Sequence, residues 1–254
     1  MTDAALTVQA QPDIADRLKA RERPSGAPVM HQSWEKLLFL HWEVPVDLLR
    51  HLIPAPLEID TFEGKAWLTI TPLHIYDARP AFVPSIPYLS WLHELNVRTY
   101  VYLDGVPGVW FFSLDANGLL AVLGARTMFH LPYYMARIEM ETNNNTVTFT
   151  SNRPDVNARF NAEWTIGADL PLADPGSLDF FLVERYCLYS ARGNTIYRCR
   201  INHEPWPLQK CINLTGFSSN MASANGIPEP DAEPLLHCGG PVHVDVWPLE
   251  KVRP

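Results

Sequence analysis

Residues 93–101 read HELNVRTYV, and polar side chains alternate with apolar ones along this stretch. Successive side chains of a β-strand point to opposite faces, so the alternation predicts a strand with one polar and one apolar face. The polar face would carry Glu94, Asn96, Arg98 and Tyr100. This row faces either water, as in an ordinary half-buried strand, or the polar interior of a barrel.

A tight hairpin is predicted directly after this strand. Asp104-Gly105 is a strong signal for a two-residue hairpin turn, and residues 109–114 (VWFFSL) make the return strand. Other stretches rich in β-branched and aromatic residues predict further strands. They cover residues 34–44, 65–75, 95–103, 137–142, 146–151, 158–166, 195–201 and 242–246.

The predicted helices are short. Pro45 can start a helix that Pro54 ends. Residues 117–128 (NGLLAVLGARTM) have helical spacing, and residues 178–185 predict another short helix. Closely spaced strands with short helices between them favour a mainly β (α+β) fold, a closed or nearly closed antiparallel β-barrel. A two-sheet sandwich is the nearest alternative.

Length and composition fit one domain. A chain of 254 residues, with 47% hydrophobic and 19% charged residues, can bury one sizeable core. Residues 1–29 are rich in Ala, Pro and charge without a sustained period, which predicts a flexible N-terminal arm with a turn of helix near residues 14–20. Residues 30–254 then form a single β-barrel domain.

Charge argues against several classes of partner. The net charge is −8, and no lysine or arginine run could follow a phosphate backbone, so we expect neither nucleic acid nor a membrane surface to bind. The first twenty residues contain no continuous apolar stretch, so we expect no signal peptide and predict a cytoplasmic location. The four cysteines form no C-x-x-C pair and are interpreted as reduced thiols.

Several motifs, taken together in this order, resemble one family. They are DLLRHLIPAPLEID (47–60), HELNVRTYV with the return strand GVWFFSLD (108–115), GARTMFHLPYY (124–134), FLVERYCLY (181–189) and HEPWPL (203–208). They are similar to the uncharacterised YqjF-like family, a conserved domain of unknown function that itself resembles the acetoacetate decarboxylase-like superfamily. The resemblance implies an acetoacetate decarboxylase-like antiparallel β-barrel with a polar lumen.

The chain departs from acetoacetate decarboxylase at the residue that defines its chemistry. In that enzyme the segment corresponding to residues 126–134 has two adjacent lysines after its proline, and one of them forms a Schiff base with the substrate. Here Pro132 is followed by Tyr133 and Tyr134. A phenol cannot form an imine, so we predict that the Schiff-base mechanism is lost.

The resemblance and the residue chemistry together select candidate site residues. The resemblance implies that Glu94 matches the decarboxylase family's active-site glutamate. His130 could act as an acid or base near neutral pH, and Tyr133 could donate to a developing oxyanion. The catalytic candidates are therefore Glu94, His130 and Tyr133, and the ligand-binding candidates are Asn96, Arg98, Tyr100, Arg126 and Tyr134.

Arg126 and His130 are four residues apart and would share a helical face, just before the two tyrosines. If this end of the helix faces the lumen, a cation, an imidazole and a phenol converge there. The alternative is a packed, hydrogen-bonded histidine beside two core tyrosines.

No cofactor and no metal are predicted. The chain lacks the glycine-rich nucleotide motifs, the serine-hydrolase elbow and the H-E-x-x-H zinc motif. His237, Cys238, His243 and Asp245 cluster near the end of the chain, but their spacing matches no standard metal site.

The sequence thus predicts a barrel protein that binds a small anionic or carbonyl compound in a polar lumen and is not an imine-forming decarboxylase. One alternative is an imine-free enzyme, a lyase, hydrolase or proton-transfer catalyst acting on a small oxo acid. Another is a non-catalytic oligomeric scaffold, because the family resemblance allows a homo-oligomer.

Overall fold

The structure is a computed structural model that describes residues 9–86 and 90–253. Strands dominate it, as predicted. The strands are β1 Met30–Glu35, β2 Leu37–Val44, β3 Glu58–Ile59, β4 Ala66–Pro80, β5 Leu92–Leu103, β6 Val106–Ala116, β7 Tyr133–Met135, β8 Arg137–Asn143, β9 Thr146–Arg153, β10 Ala158–Asp169, β11 Cys187–Arg192, β12 Thr195–Asn202, β13 Leu208–Ser219, β14 Leu235–Gly239, β15 Val242–Val246 and β16 Glu250–Arg253. The α-helices are α1 Ile14–Ala20, α2 Val46–Arg50, α3 Leu119–Met128 and α4 Leu178–Val183.

Part of the sheet closes into a ring. The hydrogen-bonded order is β4, β5, β6, β11, β12, β15 and β1, and β1 pairs again with β4. All of these pairings are antiparallel except that between β6 and β11, which is parallel. The predicted mainly β fold with an antiparallel barrel is therefore confirmed, except that β6 and β11 are parallel.

The remaining large strands form an outer sheet. β2 pairs with β4 beyond the ring, and β14, β13, β10, β9 and β8 follow in order. The chain crosses from ring to outer sheet at Lys36, whose backbone adopts φ 55° between β1 and β2. The single strand predicted over residues 34–44 is thus two strands joined by a left-handed kink.

β5 is buried on both faces because it lies between two cores. Leu95 and Val97 are fully buried in the core between the ring and the outer sheet. Glu94 and Asn96, on the other face, are only 4% and 5% exposed. The polar row predicted for this strand therefore faces the inside of the ring, and the alternative in which it faces water is wrong.

Local sequence signals explain the turns and helices. Asp104 and Gly105 have φ values of 51° and 74°, as the predicted hairpin turn requires. Asp13 and Asp16 form a capping box at the start of α1, and the hydroxyl of Ser177 accepts a hydrogen bond from the Phe180 amide to cap α4. No helix in the described ranges has the length and apolar character needed to span a bilayer.

The polar segment 216–233, interpreted from sequence as a long surface loop or lid, is a loop only in part, because strand or α-helix is absent from residues 220–233 alone. β13 extends through its first residues to Ser219, and Met221, Ala222 and Ile227 are buried in the core next to the outer sheet. Most residues of β13 are exposed or partly exposed, and several are polar, so the sequence of its last residues resembles that of a loop. This is why the strand was not predicted from sequence.

The described part of residues 1–29 lies against the barrel. Arg17 of α1 makes two hydrogen bonds of 2.7 Å to the fully buried carboxylate of Asp60, which also accepts one of 2.6 Å from Arg185. The Tyr102 hydroxyl donates to the backbone carbonyl of Gln9. The flexibility expected of this arm stays a prediction, and residues 1–8 lie outside the described residues.

We expect Arg17→Ala to lower the free energy of unfolding by about 2 kcal/mol, because one of the two cations on a buried carboxylate is lost. Limited proteolysis should then cut within residues 9–29 faster than in the wild type. Lys19→Ala, on an exposed position of the same helix, is the matched control for urea unfolding. Equal stability of the two variants would contradict the anchoring role of Arg17.

Candidate functional site

The ring encloses a cavity of about 450 Å³. Its walls are mainly apolar, and the exposed part of its lining comes from α3 and from the described residues that follow β4. The apolar wall comes from Leu37, Phe39, Leu73, Ile75, Leu92, Leu114, Phe129, Leu131, Ile201 and Trp206, and the exposed lining residues include Val83, Ile86, Leu120 and Met128. An apolar chamber of this size with a few polar groups is the usual form of a small-molecule site.

The polar groups of the cavity concentrate on one wall. Glu94, Asn96 and Arg98 project from β5, and Thr71 lies beside Asn96 because the two residues pair across β4 and β5. Tyr133 of β7 reaches the same wall. The predicted polar row of β5 therefore reaches the lumen as far as Arg98, although most of the lumen is apolar.

Glu94 is held by two donors inside the cavity. The Tyr133 hydroxyl donates to its Oε2 at 2.6 Å, and the Asn96 amide donates to its Oε1 at 3.3 Å. Burial raises the pKa of Glu94, although these hydrogen bonds and the charge of Arg98 partly oppose the rise. Burial and the neighbouring carboxylate also raise the pKa of Tyr133 well above its usual range, so the phenol stays a donor.

Arg98 offers a cation to the cavity. Its guanidinium lies over the ring of Phe39, 5.3 Å from the ring centroid. Its Nε is buried without a hydrogen-bond partner in the part of the chain that the structure describes, and the same holds for Thr71 Oγ1 and Asn96 Oδ1. Among the described residues, the side chains of the polar wall thus leave two donors and one acceptor without a hydrogen-bond partner.

The other predicted site residues lie outside the cavity lining. Tyr100 lies in the core, where its hydroxyl donates to the Leu182 carbonyl at 2.8 Å. His130 comes after the end of α3, with φ 54°, and packs edge-on against Tyr197. The helical face that Arg126 and His130 would share is therefore not formed.

Arg126 and Tyr134 are also on the outside. Arg126 Nε donates to the backbone carbonyl of Tyr133 at 2.6 Å, and the guanidinium groups of Arg126 and Arg153 both lie over the Tyr134 ring, 5.5 and 4.3 Å from its centroid. Neighbouring residues of β7 point to opposite faces, so Tyr133 faces the cavity and Tyr134 does not. Of this predicted cluster, Tyr133 alone lines the cavity.

Some residues of the site were missed by sequence reasoning. Thr71 belongs to a predicted strand, but its place beside Asn96 depends on the register between β4 and β5, which the sequence does not specify. Trp206 comes from the HEPWPL motif, and its backbone amide donates to Glu184 Oε1 at 2.9 Å. The carboxylate of Glu184 also accepts a bond from Tyr186, so Glu184 holds the segment that carries Trp206.

Lysine amines and cysteine thiols are the two nucleophiles to consider in this cavity. Among the described residues that line the cavity there is no lysine. Cys199 does line it, but burial raises the pKa of this thiol, which keeps it protonated.

Solved structures with low sequence identity share this fold. The enduracididine biosynthesis enzyme MppR, in complex with pyruvate, has a TM-score of 0.62 and 12% identity, over 89% of this chain and 91% of MppR. Acetoacetate decarboxylase from Legionella pneumophila has a TM-score of 0.62 and 12% identity, over 97% and 98% of the two chains. These likenesses confirm the predicted acetoacetate decarboxylase-like fold and nothing finer, because a fold does not determine an activity.

A relative with much higher identity is the uncharacterized protein YqjF of Bacillus subtilis (strain 168). It is 42% identical over 229 residues, which cover 90% of this chain and 94% of YqjF. Residues 31–243 also match the DUF2071 family, described as an uncharacterized conserved protein. In agreement with the resemblance read from its motifs, the chain belongs to the DUF2071 family.

Proposed function

We propose that this protein binds a small carboxylate or carbonyl compound in the barrel cavity, without forming an imine. The observation that carries the proposal is the set of unpartnered polar atoms on an otherwise apolar wall: Arg98 Nε, Thr71 Oγ1 and Asn96 Oδ1. A buried polar group without a partner destabilises the protein by roughly 1–3 kcal/mol. A ligand that supplies the missing partners removes this penalty.

The position of Arg98 selects an anionic head group. A guanidinium binds a carboxylate through charge-assisted hydrogen bonds, which are stronger than neutral ones. Thr71 can add a hydroxyl donor beside it, while the apolar wall around Phe39 and Trp206 accepts the remainder of the ligand. MppR, which shares the fold, was solved with pyruvate, an oxo acid of the same chemical class.

The residues that line the cavity support binding without an imine. A Schiff base needs a primary amine within reach of the ligand's carbonyl, and the described lining residues include no lysine. Binding through hydrogen bonds and apolar contact then replaces covalent capture.

A second function is proton transfer to or from the bound compound, and the buried carboxyl group of Glu94 in the cavity wall supports it. Burial raises the pKa of Glu94, and a raised pKa is the direction in which enzymes shift a glutamate that acts as general acid or base. The Tyr133 hydroxyl donates its one proton to Glu94 and stays protonated, so it holds the carboxyl group in place for that transfer. The reaction class would be enolisation of an oxo acid at the carbon beside its carbonyl group.

Three further expectations from the sequence stay predictions: a homo-oligomer, a cytoplasmic location and the lack of binding to nucleic acid. The negative charge balance supports the lack of binding to nucleic acid.

We expect phenylpyruvate to bind the wild type, and Arg98→Ala to weaken its affinity by roughly 10- to 100-fold, since a charge-assisted hydrogen bond is lost. Isothermal calorimetry measures this, with the neutral amide of the same compound as the ligand control. Arg192→Ala, at an exposed position, is the matched protein control. Equal affinity in Arg98→Ala, or no binding by a series of oxo acids and simple carboxylates, would contradict the proposal.

Glu94 should also make stability depend on pH. A carboxyl group whose pKa is raised by folding holds a proton in the native state that the unfolded state has released. Its contribution to stability is therefore present below the unfolded pKa of about 4.5 and is lost as pH rises through the folded pKa.

We accordingly expect Glu94→Gln to gain stability relative to the wild type as pH rises above about 4.5, in urea unfolding measured from pH 4 to 8. Glu139→Gln, at an exposed position of β8, is the matched control and should show no such trend. A difference between Glu94→Gln and wild type that does not change with pH would show that burial does not raise this pKa.

The proton-transfer function is tested by hydrogen–deuterium exchange. In D₂O, the wild type should accelerate exchange of the protons beside the carbonyl of 2-oxobutyrate, as followed by proton NMR. Glu94→Gln should lose at least 100-fold of that acceleration while still binding the compound. Exchange at the uncatalysed rate with bound wild type would leave binding as the function and rule out this second one.

A further inference from the structure

A cluster of metal-ligating side chains lies on the outer wall of the barrel, away from the cavity. Met30 and Gln32 of β1 face the cavity, so His31 between them faces outward. On the neighbouring β15, His243 and Asp245 share the outward face, because Val244 between them is buried in the inner core. The structure thus brings together residues more than two hundred positions apart in sequence.

The three donor atoms converge. His31 pairs directly with Asp245 across the two strands, and His31 Nδ1 lies 2.6 Å from Asp245 Oδ1. His243 Nε2 lies 3.3 Å from the same oxygen. All three atoms are within 4.8 Å of one another. Ligands of a metal ion with bonds of about 2.0–2.2 Å lie about 3–3.5 Å apart, so small side-chain rotations complete the geometry.

We propose that His31, His243 and Asp245 form a zinc-binding site that joins β1 to β15 on the outside of the barrel. Two imidazoles and one carboxylate form a donor set that Zn²⁺ prefers in proteins. The fourth position is open to water, because the His243 side chain is 56% exposed.

The surroundings orient each ligand. The Ser33 hydroxyl lies 3.4 Å from His243 Nδ1, which leaves Nε2 directed at Asp245. Arg23 binds the other carboxylate oxygen, Oδ2, at 2.6 Å, and its guanidinium is held over the Trp247 ring. The two oxygens of Asp245 therefore have different partners, and Oδ1 is the one that faces the imidazoles.

The negative charge of Asp245 favours zinc binding, whereas the positive charge of Arg23 weakens it. A carboxylate oxygen of an aspartate is an ordinary ligand of Zn²⁺. The positive charge of Arg23, which binds the other oxygen of the same carboxylate, repels a dication and weakens its binding.

The earlier candidates His237 and Cys238 do not belong to this site. His237 Nε2 bonds to Asp179 at 3.0 Å, and Cys238 is buried in the core next to the outer sheet. Sequence reasoning identified His243 and Asp245 but lacked His31, because the pairing of β1 with β15 supplies the third ligand.

The test uses the full chain after treatment with EDTA and dialysis. Calorimetric titration with ZnCl₂ should show one site per chain, and Co²⁺ in place of zinc should give the visible absorption bands of a low-coordinate site with nitrogen and oxygen ligands. His243→Ala removes the most exposed ligand, so the fold is least disturbed. Its zinc affinity should fall at least 10-fold, whereas His51→Ala, an exposed histidine elsewhere, should bind as the wild type does.

Zinc should also raise the melting temperature of the wild type and of His51→Ala, and raise it much less in His243→Ala. Zinc binding by His243→Ala with wild-type affinity, or no binding by the wild type at millimolar zinc, would overturn the proposal.

Discussion

The polar side chains of β5 from Glu94 to Arg98 lie inside a closed ring of strands, where they are largely buried. Burying charged groups is unfavourable unless they are paired, protonated or bonded to neighbours. Glu94 is accommodated by a raised pKa and by donors from Tyr133 and Asn96. Arg98 is accommodated in part by the ring of Phe39, and its unsatisfied Nε is the polar capacity left for a ligand.

The rest of the fold produces this burial. β4 and β5 serve as a shared wall, with the barrel cavity on one side and the core of the outer sheet on the other. The left-handed kink at Lys36 lets one stretch of chain contribute β1 to the ring and β2 to the outer sheet. Asp60, bonded to Arg17 and Arg185, then ties α1 and the segment after α4 to the same barrel.

Much of this could be predicted from local sequence. The alternation along residues 93–101 predicted which side chains of β5 share a face, and Asp104-Gly105 predicted the hairpin, because both are properties of neighbouring residues. Features set by distant pairing could not be predicted in this way. The position of Thr71 beside Asn96 depends on strand register. Tyr133 and Tyr134 could not be separated until β7 was known to pair with β6.

We propose that the polar wall of β5 binds a carboxylate noncovalently, and a crystal structure of the protein with phenylpyruvate would show where that carboxylate lies. We expect it within hydrogen-bond distance of Arg98 Nε and Thr71 Oγ1, with the phenyl ring against the apolar wall. A carboxylate bound away from β5, or electron density continuous between the ligand and a lysine, would contradict it.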